Sequence, residues 1–146
     1  MDRVPIPRRV EPLLRGTPIA FMTTVRPDGH LSTNPVALLY ENERVVVSTV
    51  ATRQKYRNLL ADDRVTLCVV QPGNLNRYVE IRGHAVLEPD RDRRVIDEIA
   101  RAYMGVEHYP LDREGDERIV VEIVPEQVSS PAIPFADAPP YQRTGA

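Results

Sequence analysis

Cysteine, lysine, aromatic rings and long apolar runs are all scarce in this chain, and each scarcity excludes something. The one cysteine, Cys68, rules out an intrachain disulfide. It lies in the run Val65-Thr66-Leu67-Cys68-Val69-Val70, where a thiol reads as a small buried hydrophobe of the core. No apolar stretch approaches the ~20 residues of a membrane helix. The N-terminal residues Met1-Asp2-Arg3-Val4-Pro5-Ile6-Pro7 show neither an apolar signal core nor a small-residue cleavage site, so the expectation is a cytoplasmic protein with no membrane partner. Six tyrosines and two phenylalanines are the only aromatics, and the formal net charge is −2. That leaves little for base stacking or for general attraction to a nucleic-acid backbone, which argues against an oligonucleotide-binding barrel. His30, His84, His108 and Cys68 stand too far apart to suggest a metal site, and neither a Ser/His/Asp motif nor a carboxylate pair is apparent.

The 146 residues suit one domain. Apolar Val10, Leu13 and Leu14 at helical spacing, followed by Gly16, predict a short opening helix over Arg8 to Arg15. Strands follow at Ile19 to Val25, at Leu31 to Tyr40 after the turn Pro27-Asp28-Gly29, and at Arg44 to Val50. A helix opening near Thr52, with Thr52 as its cap, carries apolar Tyr56, Leu59 and Leu60. Val65 to Val70 and Tyr78 to Leu87 read as further strands across the loop Gln71 to Asn76. In the second of these Tyr78, Glu80, Arg82 and His84 alternate with Val79, Ile81, Ala85 and Leu87, and His84 reads as a surface residue. Asp90 to Met104 predicts a helix with Val95, Ile96, Ile99 and Tyr103 inward, and a last strand runs from Arg118 to a stop at Pro125. Six strands joined mainly by short turns favour an antiparallel barrel in a mainly β (α+β) domain over residues 1–128. Residues 129–146 are proline-rich, with little periodic pattern, and read as an extended arm.

One segment contradicts local preference. Eighteen of the nineteen basic residues are arginine, and the single lysine, Lys55, stands beside Arg53 and Arg57 at the start of the helix after Thr52. Cations there oppose the partial positive charge of a helix N-terminus at a cost of a few tenths to ~1 kcal/mol each. Arg53 and Arg57, four apart, repel each other as well. A phosphate would reverse the sign of these terms, meeting free N–H groups, Arg53 and Lys55, with Asn58 one turn further on. A solvated cationic face is the alternative reading of the charges alone.

The string Ser48-Thr49-Val50-Ala51-Thr52-Arg53-Gln54-Lys55-Tyr56-Arg57-Asn58-Leu59 follows a meander containing Asp28-Gly29 and Ser32-Thr33-Asn34-Pro35. With Arg77-Tyr78-Val79-Glu80-Ile81-Arg82-Gly83-His84-Ala85, it resembles the actinobacterial deazaflavin-dependent branch of the pyridoxamine 5′-phosphate oxidase-like superfamily. The resemblance covers most of the chain from Ile19 to Val124. It implies a split β-barrel homodimer with short flanking helices and a cofactor cleft at the subunit interface. It also implies that Arg53, Lys55 and Asn58 hold a cofactor phosphate and that Ser48, Thr49 and Val50 border the ring and its linker. Asn34, Pro35 and Val36 would line the cleft, and Gln71 and Tyr78 would reach in from the other protomer. The implied cofactor is coenzyme F420, with FMN as the alternative, since the phosphate cradle alone does not separate them. The implied activity is hydride transfer from reduced F420 to an unsaturated or electron-poor small organic substrate. An FMN-dependent oxidase or reductase and a non-catalytic F420 carrier are the competing readings.

Overall fold

The computed structural model describes residues 3–131. A 3₁₀ turn at Arg8–Val10 runs into helix α1 (Glu11–Arg15), followed by β1 (Ile19–Val25), β2 (Leu31–Val36), β3 (Leu39–Glu41) and β4 (Arg44–Val50). Helix α2 (Gln54–Ala61), β5 (Arg64–Gln71), β6 (Asn74–Pro89), α3 (Arg94–Met104) and β7 (Arg118–Ser129) complete the order. The proposed arm falls almost wholly beyond the described residues.

The strands form one seven-stranded sheet in the order β2-β1-β5-β6-β7-β4-β3, antiparallel at every pairing. Only Ala37 and Leu38 separate β2 from β3, yet these strands occupy opposite edges of the sheet. A chain advances at most ~3.8 Å per residue. The sheet must therefore curl until its edges meet, and the result is the split barrel. The same break explains why the single strand expected from Leu31 to Tyr40 is two: its first half pairs with β1 and its second with β4. Tyr103 fastens the junction, donating from its hydroxyl to the Pro18 carbonyl at 3.0 Å and accepting from the Leu38 N–H at 3.2 Å.

Alternation along the strands fills the barrel. Ala20, Met22, Val45, Val47, Leu67, Val69, Val79, Ile81, Val121 and Ile123 point inward and are buried, each contributing up to ~1.5–3 kcal/mol for the larger side chains. Because Val65, Leu67 and Val69 take the inner face of β5, Cys68 stands half-buried on the outer face rather than in the core. Burial and the carboxylate of Glu80 push its thiol pKa up. The β1–β2 turn closes as its Asp-Gly sequence suggests, with Gly29 at φ +88°. The segment read as a loop over Gln71 to Asn76 is a tight hairpin whose turn is Pro72-Gly73. Likewise Leu60 is exposed, and Asn58 takes the buried place beside Leu59.

Pro125 does not stop β7. Between Arg82 and Gly83 the β6–β7 register slips by one residue, so Gly83 lies opposite Pro125 and Arg82 opposite Gln127. The bulge accommodates the proline inside the strand, and the Pro125 carbonyl accepts from the Val4 N–H at 2.9 Å. Displaced outward at the bulge, Glu126 meets Nδ1 of His84 at 2.9 Å. A Cβ at Gly83 would fall 1.8 Å from the Val124 carbonyl oxygen, so no side chain fits without moving backbone. Gly83→Ala is expected to lower unfolding free energy by at least ~3 kcal/mol, read by urea denaturation; a loss below ~1 kcal/mol would show that the bulge relaxes freely.

Candidate functional site

The outer faces of β4 and β7 are covered by α3. Val46 and Val120 pack against Val95 and Ile99, which makes a second, smaller apolar cluster outside the barrel. Asp90 positions this helix: its carboxylate accepts from the N–H groups of Val95 at 3.0 Å and Ile96 at 2.9 Å. Where this layer ends, a cleft of about 260 Å³ opens. Its walls come from Pro35, Val36 and Ala37 at the end of β2, from Ser48, Thr49 and Val50 on β4, and from Ile96, Ile99, Ala100, Tyr103 and Met104 on α3. Arg53, Lys55, Tyr109 and Arg118 supply the polar rim.

Helix α2 begins without a side-chain cap. Thr52 does not serve, because the Arg53 N–H closes a turn onto the Val50 carbonyl at 2.9 Å and moves the cap position to Arg53. Among the described residues the N–H groups of Gln54, Lys55 and Tyr56 meet no acceptor. The three cations then divide. Arg57 folds back onto the Thr52 carbonyl at 3.1 Å and Oε1 of Gln54 at 2.9 Å. Arg53 and Lys55 have no acidic partner among the described residues, and both face the cleft. Burial, then the neighbouring Arg53 charge, pushes the Lys55 pKa below its ordinary value. A half-buried ammonium at the positive end of a helix is a standing electrostatic cost, and an anion in the cleft removes it.

Of the residues singled out from the sequence, the cleft brings together Pro35, Val36, Ser48, Thr49, Val50, Arg53 and Lys55. The other four stand apart from it. Asn58 is fully buried; its amide nitrogen donates to Oγ1 of Thr24 at 3.1 Å and its oxygen accepts from Gln54 at 2.8 Å. Asn34 lies on β2 opposite Met22, with a buried Oδ1 that meets no donor among the described residues. Gln71 and Tyr78 sit at the β5–β6 hairpin, away from the cleft of their own chain.

Sequence reading missed the far wall. The inward face of α3 was legible, but not that part of it lines a cleft rather than the core. Arg118, read only as the start of a strand, lies opposite Val50 with a side chain just 8% exposed. Asp112 grips it in a bidentate pair at 2.8 and 2.6 Å, and the Tyr109 ring lies 4.7 Å beneath its guanidinium. Nothing in the local pattern of residues 105–117 signals this arrangement, which is built by tertiary contacts alone.

The pyridoxamine 5′-phosphate oxidase family model matches residues 6–130. The chain belongs to that family. A solved structure named F420 reductase is similar over 85% of this chain and 98% of its own, with 29% identity and a TM-score of 0.75. A conserved hypothetical protein from Mycobacterium tuberculosis shares 23% identity over 87% of this chain and 84% of its own, with a TM-score of 0.69. General Stress Protein 26 from Bacillus anthracis shares the fold at 17% identity and a TM-score of 0.62, over 82% and 88% of the two chains. No curated protein matches. Family membership supports an oxidoreductase type of function. Among the described residues no helix is long and apolar enough to cross a membrane.

The Lys55 pKa shift carries a sign. A lysine whose folded pKa is depressed is harder to keep charged in the folded than in the unfolded chain, so below its folded pKa it weakens the fold. That penalty fades as pH rises through the lowered folded pKa. Lys55→Gln, which keeps helix propensity, is therefore expected to stabilise the ligand-free protein by about 0.5 kcal/mol at pH 7, seen as a raised Tm. A lowered Tm would mean that the ammonium has a stabilising partner.

Proposed function

We propose that the protein is an F420-dependent oxidoreductase acting on an unsaturated or electron-poor small organic molecule. The observation that carries this reading is the pair of cations, Arg53 and Lys55, lacking acidic partners at an uncapped helix start that opens on a cleft with both polar and apolar walls. This donor set fits a phosphate: two positive side chains and free N–H groups converge where nothing in the described chain answers them. Ser48, Thr49 and Val50 border the linker and ring, and Pro35 and Val36 close the side of the cleft. Asn58 acts on the phosphate indirectly, holding Gln54 and so the first turn of α2. When bound, reduced F420 supplies the hydride, and the protein contributes orientation and electrostatics. The similarity to a structure named F420 reductase supports F420 over FMN.

The reading includes a homodimer. The outer face of β1, β2, β5 and β6 presents Phe21 between Pro35 and Cys68, and Val70 between Ile19 and Tyr78. Phe21 is 40% exposed and Ile19 44%, an apolar patch suited to a second copy of the chain. In such a pair Gln71 and Tyr78 complete the partner's cleft, and Asn34 lies behind the seam, on the face of β2 opposite Met22.

Titration followed by fluorescence, with F420 and FMN in parallel, tests the cofactor. Lys55→Ala is expected to weaken F420 binding at least about tenfold, as loss of a charge-assisted contact costs ~1.5–3 kcal/mol. Preference for FMN in the wild type would replace F420 in this proposal, and unchanged affinity in the variant would remove Lys55 from the site. Tight F420 binding without turnover of any electron-poor acceptor would favour a carrier. Phe21→Glu is expected to yield a monomer by analytical ultracentrifugation and, because the partner's residues are lost, weaker cofactor binding. A dimer that persists in this variant sinks the proposed interface.

A further inference from the structure

Three nitrogens of Arg118 are placed very unequally. Asp112 accepts from Nε and Nη2, and Tyr109 supports the guanidinium plane from below. Nη1 makes a long contact, 3.4 Å to Oγ of Ser48, and the Tyr109 side chain is also within reach of the guanidinium. Both Ser48 and Arg118 line the cleft. Asp112 also receives Arg93 at 2.7 Å, so this one carboxylate faces two guanidinium groups, and Asp97 adds its negative charge on the Arg93 side. The support is rigid: Asp97 accepts from the N–H of Tyr109 at 2.9 Å, and Arg93 donates to the carbonyl of that same residue at 3.3 Å. Beside this point Ile96, Ile99, Ala100 and Met104 form an apolar wall.

We infer that Arg118 and Ser48 form a second oxygen-binding point in the cleft, separate from the start of α2, which takes the carboxylate of a flat and otherwise apolar molecule. The guanidinium donates from Nη1 to one oxygen and the Ser48 hydroxyl donates to the same group. Asp112 and Tyr109 act as positioning residues, holding the guanidinium so that little side-chain entropy is lost on binding. The apolar wall of α3 receives the body of the molecule. This rests on the reading of the cleft as the ligand site and gives it a polarity: a phosphate at one end, a planar oxyanion at the other.

Benzoate and inorganic phosphate are the probes, followed by NMR on isotopically labelled full-length protein. Benzoate is expected to shift signals of Ser48, Tyr109 and Arg118, and phosphate those of Gln54, Lys55 and Tyr56. Benzyl alcohol, which keeps the ring but not the charge, is expected to bind about tenfold more weakly than benzoate. Arg118→Lys removes the planar fork and is expected to weaken benzoate about tenfold; Ser48→Ala, which leaves the Asp112 pair intact, about threefold. Benzoate that leaves Ser48 and Arg118 unshifted, or that binds Ser48→Ala as it does the wild type, overturns the inference. If neither F420 nor FMN binds while benzoate still shifts Arg118, the cofactor proposal fails and this site stands. If F420 binds but benzoate leaves Arg118 silent, the reverse holds.

Discussion

The two faces of β4 join the barrel to the cleft. Val45 and Val47 turn into the barrel core, while Val46 turns outward under α3. A strand buried on both faces is fixed in register, because a slip of one residue would exchange its two sets of side chains. Its outer face continues from Val46 to Ser48 and Val50, which emerge from under α3 to floor the cleft. Its end releases the chain into α2, so the cations at that helix start inherit their placement from the strand. Pairing with β7 sets Arg118 beside Val50. The cleft is thus the place where one strand's outer face runs out of cover.

Charge is distributed around this frame by two rules. Several arginines on the sheet and on α3 meet carboxylates: Arg44 with Glu88 and Glu122, Arg94 with Glu41 and Glu98, Arg64 with Asp62. The Asp62 carboxyl is held down to about 2 by its hydrogen bonds from Arg64. These exposed pairs contribute little each to stability. At the cleft the rule changes. Arg118 is matched by Asp112 but shares it with Arg93, and Arg53 and Lys55 are matched by nothing in the described chain. The positive potential of the cleft therefore arises from a local shortage of carboxylates in a molecule whose overall charge is slightly negative.

Periodicity made much of this legible. Alternation in β6 and the helical spacing in α3 both correspond to burial in the structure, and the wrong-signed start of α2 pointed to the half of the cleft that the sequence reading found. Partner choice was not legible. Leu31 to Tyr40 has uniform strand character, and only the curling of the whole sheet divides it at Ala37. Pro125 looked like a stop because the bulge that admits it, at Glu126, and the Gly83 that faces it from β6 are settled by strand pairing and not by the local sequence. Leu60 looked like a core residue because helical spacing does not distinguish the neighbouring Asn58, whose buried amide is satisfied by Thr24, thirty-four residues earlier. Arg118 was invisible as a site residue for the same reason: its surroundings come from α3, from residues 105–117 and from β4, and no window of sequence contains them together.

Why a helix with cations at its start forms at all is a question of magnitudes. Arg53 and Lys55 each cost at most ~1 kcal/mol against the helix dipole. Burial of Leu59 in the barrel core returns ~2 kcal/mol. The Asn58 amide, bonded on one side to Thr24 of β1 and on the other to Gln54, fastens the helix to the sheet at its middle and first turn. Eight residues would be marginal as an isolated helix, so α2 exists because the sheet holds it and not because its sequence favours it. Its first turn is accordingly ordered before any anion arrives. An anion binding there, as proposed, would spend none of its interaction energy on building the helix, and the repulsion it relieved among the cations would add to its affinity.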